Sequence, residues 1–201
     1  MIAVAGHPDL TASTLAMLEE ELRRPLVEFA RAGKTGLVRA GQGLPVAFGR
    51  AARAAGLPVV TVLPATNGVP DVLGAGDRRA AGELLLLSEH VRLLEYDPSD
   101  RGACIGADES LMRSCARLLA VWDGSQSNSG DATAHLVAYA RSSGVEVEVL
   151  WPDGARRMAP DPAGGEEATV TRATEGRPAP GGRSPFEAVA TTVACPRSAR
   201  P

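Results

Sequence analysis

Six short apolar runs recur along the first 151 residues, each closed by a Gly, Pro or Asp turn and separated by segments of helical periodicity. They are Ile2–Ala5, Gly36–Ala40, Leu57–Leu63, Val91–Tyr96, Arg117–Trp122 and Val145–Trp151. Runs of that length that stay apolar rather than alternating read as strands covered on both faces. Strands that alternate with helices require crossover connections, and these make neighbouring strands parallel. The pattern therefore predicts an α/β fold: a Rossmann-like, open, mainly parallel sheet with helices on both faces.

The helical segments carry their own signals. Leu15, Leu18, Leu22 and Leu26 recur at steps of three and four, one stripe of a helix that Thr11 or Ser13 caps. Pro25 is expected to kink or end that helix. Leu44–Ala55 is Ala-rich, tolerates Pro45 in its first turn and stops at Gly56. Thr66–Asp77 lacks periodicity and reads as a loop. Helices follow over Gly82–His90, Ile105–Ala116 and Asp131–Ser143, with Asp97–Arg101 as a polar turn.

After Trp151 the texture changes. Residues 152–201 hold eight of the fifteen prolines and few large apolar side chains. The chain thus divides into a folded domain over 1–152 and a Pro/Gly/Arg-rich tail over 153–201, expected to be disordered. The apolar knot Phe186–Val193 reads as part of that disorder, with a short helix formed on docking as the alternative.

Charge and composition exclude several classes. Net charge is −3 and the pI about 5.7, without the basic surface of a protein that binds nucleic-acid backbones. Aromatic residues are 3%, too few for base-stacking platforms. No run reaches the ~18 apolar residues of a membrane span, and no basic leader opens the chain. Three cysteines at 104, 115 and 195 form neither a disulfide framework nor a zinc pattern. The expectation is a cytoplasmic protein with no metal and no cofactor.

In an open parallel sheet, ligands bind beyond the carboxyl ends of the strands. The small residues cluster there: Gly6-His7, Gly41-Gln42-Gly43, and Asp123-Gly124 with the Ser/Gly loop to Gly130. Backbone N–H groups at such turns approach phosphate closely, and the helix dipole favours the anion. The turns lack GxGxxG, a Walker loop and GxSxG. His7 as a base needs a carboxylate partner, Asp9 or Asp123; the ordinary alternative is a His hydrogen-bonded to a neighbouring loop. Asp123, at a strand tip, faces a ligand hydroxyl or forms an Asx turn. Asp131 reads as the N-cap of the last helix and as a charge that repels phosphate at that turn. Cys104 and Cys115 read as small buried hydrophobes, and His135 as a surface residue.

VAGHPDLT (4–11), GQG (41–43), VVTVLPA (59–65) and LLAVWDG with SGDATAHLVAYARSSGVEVEVLWP (118–152) resemble the SLOG superfamily. These are Rossmann-like proteins related to nucleotide phosphoribohydrolases of the LOG type and to nucleoside deoxyribosyltransferases. The likeness is strongest to its small stand-alone actinobacterial members. It implies a nucleotide-like ligand held by Gly6, His7, Gly41, Gln42, Gly43, Asp123, Gly124, Gly130 and Thr133. It also makes a homo-oligomer possible. Where such proteins carry Gly-Gly-Thr or Ser-Gly-Thr, this chain has Asp131-Ala132-Thr133. The Glu that does glycosidic chemistry in hydrolytic relatives is replaced by Leu136, and Pro45 stands near the usual second-loop Asp. The leading expectation is therefore non-catalytic binding or sensing of a nucleotide or nucleotide-derived molecule. The alternatives are an enzyme cleaving an N-glycosidic bond through Asp123 or Asp131, and a degenerate fold kept as an interaction module.

Overall fold

The structure, a computed structural model, describes residues 1–158 and 191–194. Its elements run β1 (Ile2–Gly6), α1 (Ala12–Arg31), β2 (Gly36–Arg39), α2 (Leu44–Ala55), β3 (Val59–Thr66), β4 (Val69–Pro70) and α3 (Ala75–Leu87). Then follow β5 (His90–Glu95), α4 (Arg101–Arg113), β6 (Arg117–Val121), α5 (Thr133–Ser142), β7 (Glu146–Leu150) and β8 (Thr191–Ala194). The sheet order is β7-β6-β1-β2-β3-β5-β8, with β4 pairing antiparallel to β3. The first six of these pair in parallel and β8 antiparallel to β5. The α/β fold with a mainly parallel open sheet is as the apolar runs require.

Each strand feeds both faces because side chains alternate. Leu118 and Ala120 pack beneath α4 and α5, with Leu111, Met112 and Val137. Leu119 and Val121 pack on the other face with Leu18, Leu22, Leu26 and Phe48 of α1 and α2. Crossovers of one hand change face when the chain reverses direction along the sheet. The chain runs outward from β1 to β5, then returns to β6 on the far side of β1. The switch point, where such sheets bind ligands, lies between the carboxyl ends of β1 and β6.

Four local expectations are corrected. α1 runs unbroken through Pro25. The missing N–H removes one ladder bond, but Leu18, Leu22 and Leu26, wholly buried along one stripe, keep the helix continuous. The segment expected to be a loop contains a hairpin, with Asn67 (φ 53°) and Gly68 (φ 77°) between β3 and β4. Two central residues at positive φ make a type I′ turn, and Asn-Gly is its strongest sequence signal. α3 begins at Ala75, not Gly82, because Gly74 caps it without a side-chain bond and so leaves no marker. α4 begins at Arg101, not Ile105, since the Asp100 carboxylate accepts from Gly102 N (2.6 Å) and Ala103 N (3.2 Å).

The expected tail is ordered at its start. Residues 156–158 lie antiparallel to 9–11 through a bridge between Leu10 and Arg157. Thr11 N donates to Arg156 O at 3.2 Å, and Met158 N to Asp9 O at 2.6 Å. The end of the apolar knot, residues 191–193, belongs with Ala194 to strand β8 rather than to a coil or helix, and pairs with the edge that β5 would otherwise leave. Residues 186–190 lie outside the described residues, as does the remainder of the expected disorder. Among the described residues no helix is long and apolar enough to cross a membrane.

Phe48 is wholly buried, and its ring stands only 2.9 Å from where a Cβ on Gly36 would sit. Phe48→Ala is expected to lower stability by about 3–5 kcal/mol, read from urea denaturation. A loss under about 1 kcal/mol would contradict this placement of the core.

Candidate functional site

β1 and β6 end side by side at the switch point. Gly6 sits where a Cβ would fall 2.7 Å from both Val121 O and a Leu44 methyl, so only glycine lets the strand tips close up. The next residue, His7, is fully enclosed and turns its ring across the gap. Its Nδ1 lies 2.5 Å from Asp131 Oδ2 and its Nε2 2.9 Å from Asp123 Oδ1. Trp151 meets the ring edge-on at 5.6 Å. His7 thus bonds neighbouring loops, on both sides. Its partners are Asp123 and Asp131; Asp9 goes elsewhere.

The carboxylates are committed in turn. Asp131, 3% exposed, accepts on Oδ1 from Thr133 N (2.8 Å) and Thr133 Oγ1 (2.6 Å), capping the first turn of α5 from one residue before Ala132. Asp123 accepts from Ser125 N at 2.8 Å, an Asx turn. Arg157 closes the arrangement. Its guanidinium grips Asp9 at 2.9–3.1 Å, donates to Ser125 Oγ at 3.0 Å, and stands 3.1 Å from Asp131 Oδ2 and 3.5 Å from Asp123 Oδ2. Nothing in the sequence pattern marked Arg157, because its partners lie 26 to 148 positions away.

This network sets the charge states. Burial pushes the Asp123 carboxyl up, but the Ser125 hydroxyl and amide and the His7 ring outweigh it and hold it at about 2. Burial likewise opposes ionisation of Asp131, and the Thr133 hydroxyl and amide, with His7, still hold it below the ordinary range. Arg157 is raised, first by its bond to Asp9. His7, Asp9 and Asp131 place one ligand atom each within 4.8 Å of one another, a spacing that suits a metal ion. The Arg157 guanidinium, bonded to both aspartates, stands in the cation's place.

Beside this cluster a cleft of about 240 Å³ opens over the carboxyl ends of β1 and β2, with Tyr96 and Pro98 from the loop after β5. Gly6, His7, Gly41 and Gln42 line it, with Leu44, Pro45 and Leu136. Gly41 meets nothing nearer than Pro45 at 3.7 Å, so its missing side chain leaves open space rather than relieving a clash. Gly43 lies behind, at φ 71°, as the N-cap of α2; no side chain caps that helix. Asp123, Gly124, Gly130, Asp131 and Thr133 do not line the cleft; they form the neighbouring loop held by His7 and Arg157. Arg39, Tyr96 and Asp108 do line it and were not singled out from sequence. Cys115 is buried and Cys104 half-buried; Cys195 lies outside the described residues. His135 is exposed and bonds Glu109 at 2.7 Å.

No family model matches this chain, and no curated protein does. Among the solved structures it is similar to are two of the molybdenum cofactor carrier protein of Chlamydomonas reinhardtii. One is 20% identical with a TM-score of 0.44, the other 21% identical with a TM-score of 0.40. In each case 74% of this chain and 74% of the other are covered.

Two outcomes follow from the cluster. Arg157→Ala leaves Asp9, Asp123 and Asp131 facing one another, and is expected to cost about 2–3 kcal/mol in urea denaturation. Arg157→Lys restores part of that loss, since it keeps the charge but not the fork. Full stability in Arg157→Ala would contradict the cluster. The second outcome concerns acid. Because the folded Asp123 carboxyl sits at about 2 against an ordinary 3.8, its contribution is complete above pH 3.8 and is lost as pH falls toward 2. It amounts to at most about 2 kcal/mol. Asp123→Asn should flatten that part of the stability–pH curve; an unchanged acid limb would show the carboxylate to be uncoupled.

Proposed function

We propose that this chain binds a nucleotide or nucleotide-derived small molecule in the cleft at the strand ends, without turning it over. The observation that supports binding without catalysis is the wall of the cleft at α5. There the side chain is Leu136, 6% exposed, at the position where hydrolytic members of the family it resembles carry their Glu. An apolar wall cannot stabilise the oxocarbenium-like centre of glycosidic cleavage, which calls on carboxyl groups flanking the bond. Asp123 and Asp131 do not replace that Glu: both are bonded to His7 and paired with Arg157, and neither lines the cleft.

The anion of such a ligand has a place. The N-terminus of α2 carries no side-chain cap, and Gly41 leaves room for close approach of a phosphate. Its affinity is modest by construction, since Pro45 in the first turn supplies no N–H. The volume, below the ~300–1,000 Å³ of typical ligand sites, suits a mononucleotide-sized fragment rather than a dinucleotide. A SLOG-like binding protein with its hydrolytic carboxylate lost fits these features together.

The test is a thermal-shift screen of the full chain against nucleotides, nucleosides and cyclic ADP-ribose-like compounds, followed by chromatography for released base. A ligand at ~100 times its Kd adds about 2.7 kcal/mol. That stabilisation raises Tm by roughly 5–10 °C, and no free base should accumulate. Base release that disappears in Asp123→Asn/Asp131→Asn would instead establish an N-glycosidic enzyme. No shift with any compound would overturn the binding reading.

A further inference from the structure

We propose that the edge of β5 is a self-association surface: β8 covers it within one chain, and β5 of a second copy takes its place when β8 leaves.

The sheet ends at β7 on one side and at β5 with its cover β8 on the other. The two sides are built differently. β7 carries Glu146 and Glu148, both paired with Arg117. Two β7 strands brought together antiparallel would set these carboxylates in facing rows, and like charges across a strand pair oppose pairing. β5 has no such guard along most of its length. Val91 and Leu93 are half-buried and Leu94 is buried, with Arg92 between them and His90 and Glu95 at the ends. An apolar strand of this kind at the edge of a sheet is a template for another strand.

The cover is small. β8 has four residues, paired from Leu93 to His90, so Leu94 and Glu95 lie outside its register. The layer beside that edge is open as well. A groove of about 490 Å³ runs between Leu94 and Glu95 and the side of α4 that carries Gly102, Ala103, Gly106 and Ser110. A Cβ built on Gly106 would meet nothing within 4 Å. β8 holds its place because it belongs to the same chain, which gives it an effective concentration of millimolar order. A second copy at micromolar concentration loses that competition until β8 is weakened.

A second copy fits the edge by symmetry. Two β5 strands related by a twofold axis normal to the sheet pair antiparallel and keep matching faces together. Centred on Leu93, the pairing sets Leu93 against its own copy, Arg92 opposite Leu94 and Val91 opposite Glu95. Centred on Arg92 instead, it would bring two guanidinium groups together, which fixes the register on Leu93.

The test is sedimentation velocity of the full chain at micromolar concentration. The wild type should be a monomer. Thr192→Pro and Val193→Pro remove the N–H groups of neighbouring residues, which point to opposite sides of the strand, so one of the two faces β5. That variant should dimerise about tenfold more tightly than the other, and stop at the dimer because a twofold contact closes. Adding Leu93→Lys to it should return the monomer, since two ammonium groups would then meet on the axis. Monomers in both proline variants overturn the proposal. So do dimers that survive Leu93→Lys, which form elsewhere, and open-ended aggregates, which are not closed by a twofold. A wild-type dimer overturns it too, by showing that β8 masks nothing.

Discussion

The ring of His7 is held between two carboxylates at the one place where the sheet reverses its winding, and the surrounding structure is arranged around that fact. Asp131 on one nitrogen and Asp123 on the other draw together the loop after β1 and the loop leading into α5. Each carboxylate then needs further donors, because a buried charge left unpaired is costly. Thr133 and Ser125 supply some, and Arg157 supplies the rest by reaching back from beyond β7. The segment after the last parallel strand is thereby tied to the loop after the first. One buried imidazole thus sets the geometry of several loops and of the chain that crosses them.

That arrangement separates two regions which often coincide in folds of this kind. The loop after β6 is a charged, internally satisfied cluster, whereas the open volume lies over the ends of β1 and β2 and beside the loop after β5. The cluster's acids are each bonded within it, to His7, Thr133, Ser125 or Arg157. The cleft is walled by Leu136 on one side and by the uncapped start of α2 on another, with Arg39 and Tyr96 lining it as well. His7, Asp77 and Asp108 line it too.

Much of the fold was legible in the sequence, because strands covered on both faces leave an unmistakable run of apolar residues. The Leu18, Leu22 and Leu26 stripe likewise announced α1 and proved stronger than the break that Pro25 suggested. The hairpin at Asn67-Gly68 was legible too but lost inside a segment without periodicity. The start of α3 was hidden because its cap is a glycine and its first turn carries another. The site was half legible. Glycines and His7 at strand ends mark a switch point by local pattern. Arg157 met Asp9 across 148 positions, and Arg39 met Asp108 across 69, and only the folded topology brings such pairs together. Asp131 was read as the N-cap of the last helix; that position is Ala132, with Asp131 bonded to Thr133 from one residue before it, and the bond of Asp131 to His7 had no local signature.

The central claim is that ligand enters the cleft beside the His7 cluster and leaves the cluster itself closed. Backbone amide shifts of isotopically labelled full-length protein, followed by NMR as inosine monophosphate is added, test it directly. The account predicts saturable shifts at Arg39, Gly41, Gln42, Leu44 and Tyr96, with Asp123, Gly124, Gly130 and Thr133 nearly still. Shifts centred on Asp123 through Thr133, with the amides around Gly41 unmoved, would contradict it.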